Sequence, residues 1–584
     1  MESVVAFASD RKEFETVLGF AKKRKDANVK CICLDFWPGE GPFDGNVRVF
    51  KERAFVSGKE LDSVRKKALF FSRNWYRFDK SFEQEVRIRG ISLGFVSDFA
   101  IYNLFELSFL SISSGINAAK QWKAKTFVAV KGSFAGECAK AAAEAVGAEF
   151  KGIDGGKARG VNRHVNFNRK KLAELQKKAF AILKESGKGK GRLVFVKSNG
   201  YLDGLSEQLG SRAGFSVNSL DSLVARKLLW PWNAAKFEVA KKEKRVFFSR
   251  LFRELAKKPG FGKRMVFNGF NFAEVFFRFM PRFIERDWPE FVFLIELLWK
   301  EFEEKKPCAV VVWEDWIPFE RICVLVARKF NAKSLVVQHG LFKAGTNLPD
   351  FVRGFAPVVA DRIAVWGPHF KRVLEAKKVP GRKIIVTGCP RLDVLHDGNS
   401  DALSFGKGSV VFGETNLVLL ATQPPTGGGD SRLELASAAI AAVKRIKNAK
   451  LVIKAHPLEN KEDYAKLVAG ARGKALLSGK TNLRQLLKRA DAVITPSFAV
   501  GLEAMALRRP VIIYAKRQVA LEGFEGIVAE NGYMLKELLE GILTEKKGKK
   551  AGEKRVEEFI YDFGFKQDGG ATDRVIELLK GQDL

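Results

Sequence analysis

Short apolar runs alternate with amphipathic stretches along most of the chain, a pattern typical of strands that alternate with helices. One strand–helix–strand unit lies at residues 491–514, where a β-branched run ends at Thr495, small residues continue to Leu507 and Val511 opens the next apolar run. Because the intervening helix is short, the two strands are predicted to be parallel neighbours. Ser497 then follows the first strand beside a helix N-terminus, a position that favours a phosphate group. In an ordinary buried unit the same serine would serve as the helix N-cap.

Repetition of this pattern predicts an α/β fold class: two facing Rossmann-like domains preceded by an additional N-terminal α/β domain. In chain order, the predicted regions are an N-terminal α/β domain of unassigned role (1–152), a basic linker with one helix (153–190), a first Rossmann-like half (191–396) with a basic amphipathic insertion (226–305), a linker (397–407) and a second Rossmann-like half (408–584).

The charge balance points to an anionic partner, because the formal net charge is +34 and such an excess attracts phosphate-rich molecules. Residues 226–264 contain thirteen Lys or Arg and three Glu, a local net charge of +10. A predicted helix in this region has an apolar face beside basic residues, which favours contact with an anionic membrane surface. The residues assigned to this contact are Phe247, Phe248, Leu251, Phe252, Arg250 and Arg253. The alternative is that the aromatic side chains pack on the domain and only the basic ones face water.

The sequence predicts a cytoplasmic protein, peripheral on the inner face of the cell membrane if the basic helix binds there. The first residues lack a basic segment ahead of an apolar one, and no apolar run approaches the roughly 18 residues of a membrane span. The six cysteines are scattered, without a Cys-x-x-Cys pair, which suits a reducing compartment.

Three further motifs lie at predicted strand ends, and two of the chain's five histidines, His339 and His456, belong to them. The motifs are Gln338-His339-Gly340-Leu341-Phe342-Lys343-Ala344-Gly345, Thr387-Gly388-Cys389-Pro390-Arg391-Leu392-Asp393-Val394-Leu395 and Ile453-Lys454-Ala455-His456-Pro457.

Together with the Ser497 unit, these motifs resemble those of GT-B fold glycosyltransferases, nearest the branch of CDP-glycerol glycerophosphotransferases and surface (capsule) polysaccharide transferases. The resemblance covers about residues 191–584, and G-x-P-R-x-D-x-L is its most specific element. It implies metal-independent transfer of a glycosyl or polyol-phosphate group from a nucleotide-sugar or CDP-polyol donor to a lipid-linked or polysaccharide acceptor, without a cofactor. Phe498 stands where the polyol-phosphate enzymes usually have a hydroxyl residue, which leaves the donor class open.

The resemblance also implies roles for individual residues. His339 would be the general base, since an imidazole can take a proton from a hydroxyl group at neutral pH; its alternative role is to cap a buried strand. Glu503 would accept hydrogen bonds from ribose hydroxyls, or it is an ordinary helix residue. The other donor or phosphate ligands would be Arg391, Lys454, His456, Thr495, Ser497 and Thr422, with Gly340 and Gly388 as cleft backbone. No carboxylate cluster in the sequence suggests a metal site.

Two other functions stay open beside the transferase. Non-hydrolysing UDP-N-acetylglucosamine 2-epimerases share the two-half fold and cleft, but a G-G-x-Q-E-E-like run is expected after the serine and residues 498–503 lack it. A basic nucleic-acid-binding or structural protein is the other alternative. Because the chain contains no nucleic-acid-binding motif, nucleic acid is not an expected partner and the transferase is the leading prediction.

Overall fold

The structure is a computed structural model that divides into two compact units. Unit 1 comprises 1–186, 218–307 and 316–332, and unit 2 comprises 187–217, 308–315 and 333–584. The structure describes residues 2–34, 38, 46–155, 192–197, 202–220, 231–340, 358–393, 415–423, 432–456, 459–479, 481–496, 498–514, 528–544 and 549–581, with backbone only for 203, 231–239, 498 and 549–556.

Strands and helices alternate along most of the described chain. The strands are β1 (Glu2–Ala8), β2 (Ala27–Cys33), β3 (Val47–Lys51), β4 (Arg87–Ile88), β5 (Ile91–Ser92), β6 (Thr126–Val130), β7 (Glu149–Ile153), β8 (Leu193–Lys197), β9 (Ser216–Ser219), β10 (Val266–Phe267), β11 (Phe270–Asn271), β12 (Ala309–Val312), β13 (Lys333–Val337), β14 (Arg362–Val365), β15 (Ile384–Val386), β16 (Asn416–Ala421), β17 (Ala449–Lys454), β18 (Ala475–Leu477), β19 (Ala492–Thr495), β20 (Val511–Tyr514) and β21 (Val528–Ala529). The α-helices are α1 (Arg11–Lys23), α2 (Gly58–Asn74), α3 (Lys80–Glu85), α4 (Leu93–Val96), α5 (Asp98–Trp122), α6 (Phe134–Val146), α7 (Asp203–Ser211), α8 (Pro231–Lys257), α9 (Pro259–Gly262), α10 (Ala273–Lys305), α11 (Pro318–Lys329), α12 (Pro368–Ala376), α13 (Pro390–Asp393), α14 (Arg432–Arg445), α15 (Glu462–Ala469), α16 (Leu483–Arg489), α17 (Phe498–Ala506), α18 (Gly532–Thr544), α19 (Lys549–Gly564) and α20 (Ala571–Lys580).

Unit 1 combines a five-stranded parallel sheet, in the order β3-β2-β1-β6-β7, with a helical layer rich in aromatic side chains. In that layer Phe276 of α10 stacks on Phe105 of α5, with ring centroids 5.6 Å apart. The indole N–H of Trp288 donates to the Ser97 hydroxyl at 2.9 Å. The region 226–305, predicted as an insertion in the first Rossmann-like half, therefore groups largely with the N-terminal region, because α10 shares its apolar core.

The basic helix α8 corrects part of the predicted membrane face. Phe248 and Phe252 are only 1% and 2% exposed. Phe248 packs edge-on against Trp288 with centroids 5.2 Å apart, and Phe252 lies 5.7 Å from Phe276. These two side chains cannot insert into a bilayer while the helix is packed in this way. Phe247 and Leu251 are half-buried, and Arg250 and Arg253 are exposed.

Helix α5 is long and apolar enough to span a membrane when judged by length and composition alone. In unit 1, however, 61% of its most apolar 18-residue stretch is buried inside the protein. Tyr102, Phe105 and Phe109 all lie in the core, as expected for the central helix of a packed domain.

Unit 2 contains two six-stranded sheets, and every strand pair whose register the structure defines in them is parallel. The first sheet has the order β15-β14-β13-β12-β8-β9 and the second has the order β18-β17-β16-β19-β20-β21. These are two Rossmann-like halves, and the predicted α/β class with a preceding α/β region is confirmed. In each sheet the carboxyl ends of the parallel strands lie along one edge, where ligands of open α/β sheets bind.

The last helix, α20, packs on the first sheet although it follows the second in sequence. Its buried residues Val575, Ile576 and Leu579 share a core cluster with strand residues such as Val311 and Leu335. The chain therefore returns to the first half after completing the second, and the predicted second half at 408–584 does not end as one domain. The physical reason is the apolar face of α20, which completes the first core.

Two residues of the G-x-P-R-x-D motif hold α20 in place. The Asp393 carboxylate accepts hydrogen bonds from the backbone N–H groups of Ala571 and Thr572, at 3.0 and 2.5 Å. Gly388 has a positive φ of +91°, and a Cβ atom there would come within 3.0 Å of the Ala571 side chain. Glycine suits both the left-handed backbone and the close approach of the helix.

The α20 contact predicts a clear difference between two neighbouring substitutions. Ile576→Ala removes buried methyl groups and should lower the free energy of unfolding by about 2–5 kcal/mol. Glu577→Ala, on the exposed face of the same helix, should change it by less than about 0.5 kcal/mol. Urea unfolding followed by tryptophan fluorescence measures both. Equal losses would show that α20 is not packed as described.

Candidate functional site

The predicted catalytic histidine lies at the carboxyl edge of the first sheet, between two acceptor groups. His339 follows β13, and the segment Trp313–Asp315 follows the neighbouring strand β12. The Nδ1 atom of His339 is 3.2 Å from the backbone oxygen of Trp313, and its Nε2 atom is 3.2 Å from Oε1 of Glu314. The Trp313 and His339 rings meet edge to face with centroids 4.5 Å apart. His339 and Glu314 thus form a buried pair of titratable side chains.

This geometry determines how protons are shared. A carbonyl oxygen only accepts hydrogen bonds, so Nδ1 of His339 carries a proton that it donates to Trp313. A second proton must lie between Nε2 and the Glu314 carboxylate for that contact to be a hydrogen bond. Burial lowers the pKa of His339 to about 4, helped by the positive charge of Arg391 and opposed by the bond to Trp313. The imidazole is therefore neutral near pH 7.

The neighbouring polar residues Asp315 and Gln338 have structural roles. Asp315, also buried, accepts hydrogen bonds from the backbone N–H groups of Val359 and Ala360 at 2.6 and 2.8 Å. Gln338 accepts from the Trp366 backbone N–H at 2.8 Å and donates to the Gly340 oxygen at 2.8 Å. These bonds hold the loop before β14 and the ends of β13 and β14. Because Asp315 and Gln338 are engaged in these bonds, the Glu314–His339 pair is the part of this edge that suits proton transfer.

A salt bridge joins the two halves of unit 2. The guanidinium of Arg391, on α13, lies 2.5 Å from a carboxylate oxygen of Glu503, on α17. Burial raises the pKa of Glu503, while the positive charges of Arg391 and Arg484 oppose the rise. The two residues, predicted as separate ligands for phosphate and ribose, contact each other in this structure. About 45% of the Arg391 side chain remains exposed, so it can still reach an anionic ligand.

The carboxyl edge of the second sheet is organised by a buried acid, Glu459. Its carboxylate accepts hydrogen bonds from the Thr422 hydroxyl, from the His456 backbone N–H at 2.7 Å and from the Tyr464 hydroxyl at 3.0 Å. Arg432 lies 3.8 Å away and supplies a positive charge. The ends of β16 and β17 and the starts of α14 and α15 therefore converge on one side chain. Thr422, predicted to contact the donor, directs its hydroxyl inward instead.

The remaining predicted residues lie at the same edges but differ in accessibility. The Lys454 ammonium group donates to the Thr481 backbone oxygen at 2.6 Å, and burial lowers its pKa, with Lys461 adding to the effect. Burial also lowers the pKa of His456, which the charge of Glu459 partly offsets. Thr495 is fully buried and cannot contact a ligand in this conformation. A Cβ atom at Gly340 would meet no atom of the described residues within 4 Å, and its role as cleft backbone stays a prediction.

Ser497 lies outside the described residues, so its predicted phosphate contact stays a prediction. Across the described ranges, no group of three or more His, Cys, Asp or Glu side chains could hold a metal ion.

Sequence reasoning missed the importance of Glu459 and Gln338. Glu459 lies three residues after His456, and its position just beyond a strand end was the one local signal. The partnerships of Glu459 with Thr422 and Arg432, and of His339 with Glu314, join residues that are distant in sequence.

Comparison with known families changes the predicted reaction. Residues 301–580 match the family model described as UDP-N-acetylglucosamine 2-epimerase. The match begins in α10 and includes β12 to β21, hence most of both sheets of unit 2. The leading prediction, a glycosyl or polyol-phosphate transferase, is therefore wrong, and the epimerase alternative agrees with the match. The coarser prediction, an enzyme with a GT-B-like fold and a nucleotide-sugar ligand, agrees with the match.

Several solved structures are similar to this chain over about two thirds of its length. A UDP-GlcNAc 2-epimerase from Neisseria meningitidis, bound to UDP-GlcNAc, is 13% identical with a TM-score of 0.43, over 67% of this chain and 99% of that chain. The enzyme from Methanocaldococcus jannaschii is 15% identical with a TM-score of 0.41, over 66% and 99%. A glycosyltransferase from Rickettsia africae is 13% identical with a TM-score of 0.38, over 67% and 98%. No curated protein matches the sequence.

The lowered pKa of His339 predicts how stability depends on pH. The unfolded imidazole has a pKa near 6.5 and the folded one near 4, so the folded state resists protonation. This contribution is complete above pH 6.5 and is lost as the pH falls through 4, about 3 kcal/mol in total. His339→Asn, whose amide can still donate to Trp313, should remove that part of the pH dependence. Urea unfolding at pH 4.5, 5.5 and 7 compares the two proteins, and parallel curves would contradict the assignment.

The hydrogen bonds of Glu459 predict that an amide group cannot replace its carboxylate without a loss of stability. In Glu459→Gln an NH2 group would face hydroxyl, N–H or guanidinium donors, so the free energy of unfolding should fall by about 1–3 kcal/mol. Glu462→Gln, at an exposed position nearby in sequence, is the matched control and should be nearly neutral. Urea unfolding measures the difference, and equal stability of the two variants would rule out the described network.

Proposed function

We propose that this protein is an isomerase that inverts C2 of a nucleotide-activated amino sugar of the UDP-N-acetylglucosamine type. The observation that carries the proposal is the family match over residues 301–580. That range contains the Glu314–His339 pair, the Arg391–Glu503 salt bridge and the Glu459 centre. The proposal therefore assigns the reaction to unit 2.

The arrangement of charges supports a location for each part of the substrate. The carboxyl edge of the second sheet carries Lys454 and His456, which suit the nucleotide diphosphate. Arg391 extends from the first half toward the second. If its ion pair with Glu503 breaks, its guanidinium group can bind the phosphate groups. The sugar would then lie against the first sheet, near Glu314 and His339. In this arrangement the Glu314–His339 pair would lie beside the carbon that reacts.

Inversion at C2 needs a proton to leave one face of the sugar and another to arrive on the opposite face. The C2–H bond is not acidic by itself, so its breaking is best coupled to departure of the group on C1. The electron pair of C2–H then forms a C1–C2 double bond, and the pair of the C1–O bond leaves with the nucleoside diphosphate. Return of the diphosphate to C1 with a proton on the other face of C2 completes the reaction without an oxidant.

The Glu314–His339 pair suits one of these proton transfers. Oε1 of Glu314 and Nε2 of His339 are 3.2 Å apart, so a proton taken from C2 can be held by this pair and returned by the reverse transfer. Fixed cations such as Arg391 would stabilise the diphosphate as its negative charge grows.

The decisive experiment incubates the full chain with UDP-N-acetylglucosamine in D2O. Proton NMR should show deuterium entering C2, together with the signals of the C2 epimer. Parallel incubations with the corresponding GDP- and CDP-sugars test the nucleotide. Absence of both exchange and epimer with every sugar nucleotide would overturn the proposal.

Variants separate chemistry from structure in the same assay. Glu314→Gln and His339→Asn should each lower the exchange rate by roughly 10²–10⁴-fold, the usual contribution of a positioned acid or base. Asp315→Asn removes a backbone acceptor and should lower thermal stability while the folded fraction keeps most of its rate. If Asp315→Asn loses the most activity per folded molecule, the proton-transfer assignment is wrong.

A further inference from the structure

An exposed phenylalanine lies among basic side chains on the surface of unit 1. Phe70, on α2, is 49% exposed. Lys66 and Lys67 lie four and three residues earlier, on the same side of the helix, and the Lys67 ammonium group is 5.8 Å from the centre of the Phe70 ring. Among the residues that the structure describes, few large apolar side chains are as exposed, so the position calls for a physical explanation.

The same surface continues into the segment after α9. The rings of Phe70 and the half-buried Phe78 are 6.5 Å apart, and the Arg264 guanidinium donates to the Phe78 backbone oxygen at 2.8 Å. Lys263 precedes Arg264, and Val266, two residues further on, is 41% exposed. We define the Phe70 patch as Lys66, Lys67, Phe70, Lys263, Arg264 and Val266.

The positive charge of this patch is not neutralised by neighbours. Among the residues that the structure describes, no carboxylate lies within ion-pair distance of its four cations. Asp79, next to Phe78 in sequence, pairs with Lys258 at 2.8 Å, and Asp62, four residues before Lys66, lies 4.0 Å from Arg65. The patch therefore combines an apolar centre with an uncompensated positive rim.

We propose that the Phe70 patch binds the surface of an anionic phospholipid bilayer. An aromatic ring is stable at the boundary between head groups and acyl chains, and lysine and arginine beside it attract anionic lipids. The net charge of +34 adds long-range attraction to such a surface. Nucleic acid is less well matched, because Val266 offers no ring face on which a base could stack. The proposal replaces the predicted face of α8 and does not depend on the proposed reaction.

The test measures binding of the full chain to vesicles by co-sedimentation. Vesicles of phosphatidylcholine with one quarter phosphatidylglycerol should bind the protein, and pure phosphatidylcholine should bind it weakly. Lys66→Glu/Lys67→Glu should reduce binding to the anionic vesicles by at least about 20-fold. Phe70→Ser should reduce it by about 5- to 10-fold.

Matched controls come from unit 2. Tyr561 is 51% exposed, so Tyr561→Ser controls for loss of an exposed ring, and Lys447→Glu/Lys466→Glu controls for charge reversal at exposed lysines. Both controls should bind like the original protein, and thermal unfolding checks that every variant is folded. No binding to anionic vesicles, or equal losses in patch and control variants, would overturn the proposal. So would patch variants that lose binding to single-stranded RNA but keep binding to vesicles.

Discussion

The burial of α20 against the first sheet of unit 2 is the constraint on which the rest of that unit depends. The helix arrives from the end of the chain, yet Val575, Ile576 and Leu579 complete the core formed by β8, β12 and β13. Asp393 caps its first turn. Because the chain must cross from the second half to supply this helix, the two halves are tied together at one end. Arg391 and Glu503 then meet where α13 and α17 approach each other.

This arrangement explains why the most specific motif predicted the fold better than the reaction. Gly388 makes room for α20, and Asp393 caps it. These two motif residues therefore indicate a C-terminal helix that packs on the first half. Arg391 of that motif extends toward the second half and pairs with Glu503. A motif whose residues serve mainly the architecture can occur in transferases and isomerases alike, since both chemistries can be placed on one fold. The family match over residues 301–580 agrees with the isomerase better than with the transferase.

The two carboxyl edges of unit 2 hold their buried acids in different ways. Glu459 receives donors from the ends of two strands and the starts of two helices, which makes it a fixed acceptor that orders the loops around it. Glu314 faces an imidazole whose other nitrogen is already committed to a carbonyl oxygen. These two titratable side chains lie within hydrogen-bond distance of each other. The second edge is therefore suited to binding, and the first to proton transfer.

The amino-acid sequence by itself determined the alternation of strands and helices, the parallel sheets, the strand-end positions of His339 and His456 and the helical position of Glu503. These features depend on local patterns of apolar residues and turns, so they can be predicted without knowledge of contacts between distant segments. Only the tertiary structure decided that Phe248 and Phe252 are buried, that α20 belongs to the first sheet, and that Glu314 and Glu459 find their partners. Each of these depends on contacts between segments far apart in the chain. An amphipathic helix shows that it will bury one face, and only the fold shows what that face is buried against.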